Sequence, residues 1–160
     1  TFMQECQTAW GQTFAGWSGA SPECTTATGL TCDATGMILS LQLRNYKLAG
    51  QIPSSVSNLK KIIYLDLASN QLPGSIPATV TALSLLKYLW LFNNTLTGPI
   101  PADIGDMTSL ISLPLYTNML SGSLPASISK LTALTYLSFA TNQLSGPIPA
   151  EIGLLTKLAT

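Results

Sequence analysis

The side chains that most often carry out catalysis are scarce in this sequence of 160 residues. It contains no histidine, so a serine or cysteine nucleophile would lack its usual general base, and zinc would lack its commonest nitrogen ligand. Charged residues make up only 9% of the chain, and no glycine-rich phosphate-binding loop is present. The sequence therefore predicts a protein that is not an enzyme and that uses no metal and no cofactor.

The few carboxylates are not arranged for acid–base chemistry. Asp66 falls on the face that we predict below to bind a ligand, but no second carboxylate accompanies it there, and glycoside hydrolysis needs two. Asp103 and Asp106 fall on a segment that is predicted to face solvent. The formal net charge is zero without a cluster of Lys and Arg, which argues against nucleic-acid binding, and no apolar run is long enough to span a membrane.

Aromatic side chains are the remaining group with binding chemistry, and they concentrate in the segment YLWLFNN, which includes Tyr88, Trp90 and Phe92. Alternate residues of a β-strand point to opposite faces, and both faces of this segment are apolar. One face is expected to join the core, which leaves three aromatic rings on the other. Such rings are typical of protein interfaces and can also stack on sugars. Alternatively, they pack only against each other and stiffen the sheet.

A repeat of 24 residues positions these rings. Five units extend from Ile38 to Lys157 and share the pattern LxxLxLxxNxLxGxIPxxIxxLxx. Each unit predicts one short strand, and neighbouring strands are expected to pair in parallel about 4.8 Å apart. The repeated leucines predict a continuous core, and the repeated asparagines predict an internal ladder that bonds unpaired backbone groups. The predicted fold is therefore an α/β solenoid with a concave parallel β-sheet and 3₁₀ or short helical segments on its convex side.

The G-x-I-P element of this repeat resembles the plant-type leucine-rich repeat family. That family includes receptor-kinase ectodomains, polygalacturonase-inhibiting proteins and secreted proteins of algae and protists. The resemblance covers residues 38–157 and, more loosely, the N-terminal segment. It implies a right-handed superhelix, an extracellular location that is either secreted or at the cell surface, and a non-catalytic role in recognition or adhesion.

Residues 1–37 do not repeat and are predicted to cap the first unit. The helical spacing of Phe2, Cys6 and Trp10 predicts a short helix there. Further on, the segment WSGASPECTTATGLTCDATG, which includes Trp17, resembles the N-terminal cap of the plant-type family.

Three cysteines leave one thiol over. The family resemblance implies a disulfide between Cys24 and Cys32, and hence an oxidising compartment. Cys6 is then the remaining cysteine. A buried free thiol, pairing with Cys24 and pairing with another chain all remain open for it.

The outward positions of the predicted strands define a candidate binding surface for a protein or glycan ligand. Pro114 lies within one strand and lacks a donor, so the sheet is expected to be distorted beside Tyr116. Asn93-Asn94-Thr95 is the only sequon for N-glycosylation, and it places a predicted glycan at Asn93, beside Phe92. The predicted ligand-contacting residues are Tyr64, Asp66, Tyr88, Trp90, Phe92, Tyr116 and Tyr136.

The last unit is expected to leave its apolar face uncovered. Residues 158–160 begin a sixth unit that does not continue, and no C-terminal cap follows. Either the chain is a fragment of a longer repeat array, or this end docks on further copies and builds a fibre, matrix or surface layer. Self-assembly is thus the alternative to recognition. The side chains expected to face water at this end are Leu137, Phe139, Leu144, Ile148, Ile152 and Leu155.

Overall fold

A computed structural model describes residues 2–11, 13 and 29–159 of the chain. The N-terminal helix, α1, spans Phe2–Trp10. The strands in the described part are β1 Leu30–Cys32, β2 Ile38–Gln42, β3 Tyr64–Asp66, β4 Tyr88–Trp90, β5 Thr97–Gly98, β6 Ser112–Pro114, β7 Met119–Gly122, β8 Tyr136–Ser138 and β9 Gln143–Leu144. Five 3₁₀ segments follow the repeat: Ser54–Asn58, Ala78–Ala82, Ile104–Asp106, Ala126–Lys130 and Ala150–Leu154.

The main sheet confirms the predicted solenoid and adds one strand to it. Its order is β1-β2-β3-β4-β6-β8, and every pair from β2 onward is parallel. Strand β1 was not predicted, and it pairs with β2 in the antiparallel direction. The turn between them is held by Asp33, whose Oδ1 accepts hydrogen bonds from the backbone N–H of Thr35 (2.8 Å) and Met37 (3.0 Å). Strand β1 therefore forms although its segment lies outside the repeat, because these hydrogen bonds stabilise the turn that joins it to β2.

A second sheet with the order β5-β7-β9 runs along the side of the solenoid. The repeat pattern did not predict it, because each of its strands is only two to four residues long and lies at or close to the glycine of its repeat. Gly74, Gly98, Gly122 and Gly146 adopt φ values between 73° and 82°, a region that favours glycine.

The convex side confirms the prediction of 3₁₀ segments. Pro53, Pro77 and Pro125 directly precede three of these segments with φ between −69° and −63°, as the proline ring requires. The third repeat differs, because its segment begins later and follows Asp103. One apolar residue of each of these first four segments is buried in the core.

The core consists of leucine columns that run through consecutive repeats. A buried leucine contributes roughly 2 kcal/mol through the hydrophobic effect, and one repeat cannot bury its own face alone. Twelve of these leucines are at most 1% exposed: Leu41, Leu43, Leu48, Leu65, Leu67, Leu72, Leu89, Leu91, Leu96, Leu113, Leu115 and Leu120.

The asparagine ladder forms as predicted. At Asn118, for example, Oδ1 accepts a hydrogen bond from Leu96 N–H at 3.0 Å, while Nδ2 donates to the carbonyls of Leu91 and Leu115 at 3.0 and 3.1 Å. Each amide therefore ties its own repeat to the preceding one and satisfies backbone groups that the turn leaves unpaired. The same pattern recurs at Asn70, Asn94 and Asn142.

The residue before each ladder position adopts a backbone conformation that the sequence does not reveal. Ser69 and Asn93 have φ of 54° and 53°, and the β-branched Thr117 and Thr141 have 55° and 54°. This left-handed region is unfavourable for side chains other than Asn, Asp and Gly. The ladder hydrogen bonds on either side hold the backbone there.

Helix α1 packs against the first repeat. Cys6 and Trp10 are buried at 0% and 3% exposure, and Trp10 Nε1 donates a hydrogen bond to the carbonyl of Gln51 at 3.1 Å. Cys6 is a free thiol, and burial raises its pKa, with the Glu5 carboxylate as a smaller cause. Trp17 and Cys24 lie outside the described residues, so the pairing of Cys24 with Cys32 stays a prediction.

Gly50 corrects one part of the sequence interpretation. The repeat pattern groups it with the four glycines of tight turns, but its φ is not positive. A Cβ added at this position would instead overlap the backbone carbonyl of Ala9 in α1. The first repeat therefore needs glycine because the capping helix packs directly on its backbone.

Candidate functional site

The predicted aromatic residues lie together on the concave face. Tyr64 in β3 and Tyr88 and Trp90 in β4 alternate along the strands with the buried ladder leucines. The ring centroids of Tyr64 and Tyr88 are 5.4 Å apart. Trp90 meets both rings edge to face, with centroid distances of 5.1 Å to Tyr64 and 6.5 Å to Tyr88. These distances fall in the range in which aromatic pairs attract each other beyond their simple burial.

The same contacts continue into the next repeat. The Phe92 ring is 6.4 Å from Trp90, and it stacks on Tyr116 at 4.6 Å with an interplanar angle of 17°. Each of these side chains remains partly exposed. We refer to the following five residues as the aromatic surface: Tyr64, Tyr88, Trp90, Phe92 and Tyr116.

Arg44 is a site residue that the sequence interpretation did not select. Its guanidinium carbon lies 5.0 Å from the centroid of Trp90 and 4.9 Å from that of Phe92, a geometry suited to cation–π attraction. Arg44 and Phe92 occupy the same position two repeats apart, and the residue between them is Ala68. The small alanine side chain leaves room for Arg44 to reach across a whole repeat. The sequence therefore contained a signal for this contact, namely a small residue between two large ones at the same position of three consecutive repeats.

Asp66 holds Arg44 in place from below. Its Oδ2 accepts a hydrogen bond from Arg44 Nε at 3.1 Å, and its Oδ1 accepts one from the N–H of Ala68 at 3.0 Å. Asp66 was predicted to contact the ligand, but it is only 5% exposed and lies beneath the guanidinium. Burial raises its pKa above the ordinary value, and the two hydrogen bonds and the Arg44 charge offset that effect only in part. The structure thus gives Asp66 a positioning role.

A shallow cavity of about 340 Å³ adjoins the aromatic surface. Its wall is partly fixed by a hydrogen bond from Trp90 Nε1 to Ser112 Oγ at 3.1 Å. Tyr136 was predicted at the margin of the site, and it lies there at 47% exposure. The cavity is lined by Arg44, Trp90, Phe92, Ser112, Pro114, Tyr116 and Tyr136.

Pro114 distorts the sheet at this cavity, as the sequence predicts. Strands β3 and β4 align three residue pairs, but β4 and β6 align only Tyr88 with Ser112. The bond from Leu91 N–H to the Pro114 carbonyl is 3.3 Å long, against 3.0 Å for the corresponding bond from Leu67 to Trp90. The missing N–H of proline explains the reduced pairing.

Asn93, the predicted glycosylation site, lies at the rim of the aromatic surface. Its side chain is exposed, and its backbone N–H donates to the carbonyl of Tyr116 at 3.0 Å. Its neighbour Asn94 is 9% exposed and belongs to the internal ladder. The two adjacent asparagines therefore have different surroundings.

The terminal repeat exposes much of the predicted apolar face, with one correction. Ile148 is 74% exposed, and Leu137, Phe139, Leu144 and Ile152 are partly buried. These five side chains line a cavity of about 440 Å³.

Leu155, by contrast, was predicted to face water, and that prediction is wrong, because it is only 4% exposed. It follows the last 3₁₀ segment in the position that Leu131 occupies one repeat earlier, and it turns into the core shared with that repeat. Leu154, which the sequence did not single out, is 60% exposed instead.

Within residues 2–11, 13 and 29–159, no group of three His, Cys, Asp or Glu side chains is placed to hold a metal ion. No helix in that part of the chain has the length and apolar character needed to cross a bilayer.

A family model described as Leucine Rich Repeat matches residues 85–107 and 133–155. No curated protein sequence matches the chain. The structural neighbours include the LRR ectodomain of the plant membrane receptor kinase GASSHO1/SCHENGEN3 from Arabidopsis thaliana, solved in complex with CASPARIAN STRIP INTEGRITY FACTOR 2. That ectodomain is 31% identical with a TM-score of 0.90, and the match covers 99% of this chain but 20% of that one. This chain therefore spans only a fifth of the larger ectodomain.

Two further neighbours are shorter. In the BIR3–SERK2 complex from Arabidopsis thaliana, the matched chain is 38% identical with a TM-score of 0.81, and the match covers 94% of this chain and 84% of that one. A plant ice-binding protein is 31% identical with a TM-score of 0.87, and the match covers 96% of this chain and 51% of that one. These proteins differ in what they bind, so the structural likeness alone assigns no ligand to this chain.

Proposed function

The chain belongs to the plant-type leucine-rich repeat family, and we propose that it is an extracellular recognition module that binds a peptide or protein on its concave face. The observation that carries this proposal is the unbroken series of ring contacts from Tyr64 to Tyr116, with Arg44 held between two of the rings.

The aromatic surface combines rigidity with exposure. Each ring is fixed by at least one neighbouring ring, and Trp90 is also fixed by Ser112. Rings that are already ordered lose little side-chain entropy when a partner binds, which favours affinity. If the rings served only to stiffen the sheet, their position beside an open cavity would add nothing to that role. The arrangement therefore supports a ligand contact over a purely structural role.

Two of the three solved relatives described above support a polypeptide partner, whereas the third is an ice-binding protein. GASSHO1/SCHENGEN3 was solved in complex with CASPARIAN STRIP INTEGRITY FACTOR 2, and BIR3 was solved in complex with SERK2. We extend that kind of partner to this chain as part of the proposal. The low share of charged residues also suits a ligand that buries apolar groups.

Display selection with a random peptide library tests this function directly. Peptides enriched on the wild-type chain should lose affinity by tenfold or more for Trp90→Ala, because the central ring of the surface is gone. Leu85→Ala is the matched control, since Leu85 is 50% exposed at the C-terminal end of the second repeat, outside the aromatic surface. Equal binding to wild type and Trp90→Ala would contradict the proposal, as would enrichment of glycans instead of peptides on an oligosaccharide array.

Self-association through the terminal repeat is the second candidate function. It is favoured by the exposed Ile148 and by the cavity that this residue lines. A fibre would require this face to dock on the first repeat, but α1 already covers that repeat. Contact between two terminal faces would be isologous and would close after two copies. We therefore propose a pair of chains as the form that self-association takes.

Light scattering coupled to size-exclusion chromatography tests this second candidate. A wild-type dimer that Ile148→Lys converts to a monomer would support it, because a charge at the centre of the face is costly to bury. Leu85→Lys should leave the dimer intact. A wild-type chain that stays monomeric at every concentration tested would overturn this candidate. A disulfide between two copies through Cys6 is not expected, because Cys6 is a buried thiol.

A further inference from the structure

We propose that Asn93 carries an N-linked glycan, and that this glycan lies over the stacked pair Phe92–Tyr116 and restricts access to that end of the aromatic surface. The statement about access rests on the proposed recognition function, whereas the statements about attachment and position do not.

Asn93 is the acceptor asparagine of the sequon, because Thr95 follows it by two residues, and its surroundings allow a sugar to be attached. The side-chain amide of Asn93 is exposed and has no hydrogen-bond partner within the described residues. Asn94 makes its amide bonds inside the solenoid, to Leu72 N–H and to the carbonyls of Leu67 and Leu91. A glycan on Asn93 can therefore be accommodated by the folded chain without breaking any contact that the structure contains.

The backbone of Asn93 is fixed on both sides, so the attachment point is well defined. Its N–H donates to the Tyr116 carbonyl at 3.0 Å, and its own carbonyl accepts from Asn70 N–H at 3.2 Å. Its φ of 53° is one that asparagine tolerates better than most residues. The first sugar would thus leave the protein from a rigid position.

This position lies at the edge of the stacked ring pair. Phe92 precedes Asn93 in the chain, and Tyr116 is its hydrogen-bonded neighbour in the next repeat, so both rings of the pair flank the attachment point. The neighbours at the same repeat position, Ser69 and Thr117, are small and leave room for a sugar beside the rings. Sugar rings present C–H groups on their faces, and these pack on aromatic rings.

The position also decides which part of the aromatic surface stays open. Tyr64 and Tyr88 lie at the beginning of their strands, whereas Asn93 follows the end of β4. A glycan at Asn93 therefore covers the Phe92–Tyr116 end first and leaves the Tyr64–Tyr88 end accessible. A ligand that needs both ends would bind the glycosylated chain more weakly.

Expression through a eukaryotic secretory pathway tests the attachment. The intact mass of the wild-type chain should fall after enzymatic removal of N-glycans, and Asn93→Gln should show no such change. Asn45→Gln is the matched control, because Asn45 has the same repeat position and a positive φ of 63° but no sequon. It should keep the glycan of the wild type. A wild-type mass equal to that of the bare polypeptide would overturn the proposal.

Oxidative footprinting tests the position of the glycan without any ligand. Tyr116 should be several-fold less modified in the glycosylated wild type than in Asn93→Gln, while Tyr64 should be modified equally in both. Equal modification of Tyr116 would overturn the placement of the glycan over the rings.

Peptides selected on Asn93→Gln then test restricted access. These peptides should bind the glycosylated wild type several-fold more weakly than they bind Asn93→Gln. Equal affinity would overturn only the statement that the glycan restricts access. Failure of the recognition function itself is detected separately, because Trp90→Ala would then bind the peptides as well as the unsubstituted chain does.

Discussion

The first and last repeats of the solenoid share one sequence pattern but differ in how well their apolar columns are buried. In the first repeat, Leu41 and Leu48 are fully buried, since α1 and strand β1 lie against that end. In the last repeat, Leu137 and Leu144 occupy the same positions and remain partly exposed. The residue type is identical at both ends, so the neighbouring element alone decides the burial.

This comparison shows how stability is distributed in a repeat protein. Each repeat contributes its own hydrogen bonds, but a large part of its apolar burial comes from the contact with the next repeat or with a cap. Interior and capped positions should therefore be sensitive to substitution, and the same positions in the last described repeat should be tolerant. Matched pairs of variants, one from each region, test this expectation.

The largest expected difference is between two ladder leucines. Leu113→Ala removes a side chain that is 0% exposed and should lower the free energy of unfolding by about 4 kcal/mol. Leu137→Ala should lower it by about half as much, because Leu137 is already in contact with solvent and its loss leaves no closed cavity. Chemical denaturation with both variants measures the difference. Equal losses would contradict the statement that burial depends on the neighbouring repeat.

The capping helix should be nearly as sensitive. Gly50→Ala places a methyl group against the Ala9 carbonyl, so α1 must move, at a cost of about 3 kcal/mol. Gly153→Ala is the control in the last repeat, where an added Cβ meets nothing within 4 Å and φ is not positive. That variant should unfold like the wild type. A fully stable Gly50→Ala would show that the helix can shift without loss.

The asparagine ladder gives a smaller contrast. Asn118→Ala leaves the buried Leu96 N–H without a partner and removes one of the two side-chain hydrogen bonds to the Leu91 carbonyl, which should cost about 2 kcal/mol. Asn142→Ala breaks similar bonds in the last ladder position, where water can replace part of them, and about 1 kcal/mol is expected. Thermal unfolding of the two variants gives the comparison. A larger loss for Asn142→Ala would reverse the proposed order.

The smallest effect concerns pH at the capped end. Lys61 Nζ donates a hydrogen bond to Asp33 Oδ2 at 2.8 Å, and this bond is the main cause that lowers the pKa of Asp33 below its ordinary value of 3.8. The hydrogen bond from the Thr35 hydroxyl is the second cause. A lowered folded-state pKa means that this contribution is complete above the ordinary pKa and is lost as the pH falls below it. Asp33→Asn should therefore lose less stability on acidification than the wild type does.

A carboxylate with the opposite shift serves as the control for this measurement. The pKa of Asp66 is raised by burial, so its effect on stability has the reverse sign, and stability gains as the pH falls through the folded-state pKa. Asp66→Asn should therefore lose more stability on acidification than the wild type does. Unfolding midpoints measured across the acid range decide both expectations. Parallel curves for all three proteins would contradict the assigned directions.

Much of the fold could be predicted because the same residue pattern occurs in five consecutive repeats. The leucine columns, the asparagine ladder, the 3₁₀ segments and the parallel sheet all follow from positions that recur every 24 residues. The helix α1 followed from helical spacing alone. Strand β1 and the side sheet were missed, because their strands are short and their pairing depends on partners outside the local pattern.

The candidate site could be predicted only in part. Alternation along β4 was enough to place Trp90 outward and next to other rings. It was not enough to reveal that Arg44 reaches across Ala68 to contact Phe92, or that Asp66 lies beneath Arg44. Side-chain reach between different repeats depends on the size of the residue between them, and a pattern read along the chain does not contain that distance.

The sequence by itself thus determined which columns face the core, because burying one face of every unit is the only way for identical repeats to stack. The tertiary structure alone decided which individual members of those columns are covered. Gly50 needs to be glycine because a helix packs on it, and Leu155 is buried because it turns into the core shared with the preceding repeat. The period of the repeat determines which way each side chain points. Whether that side chain is buried depends on the element packed against it, and only the folded chain determines that element.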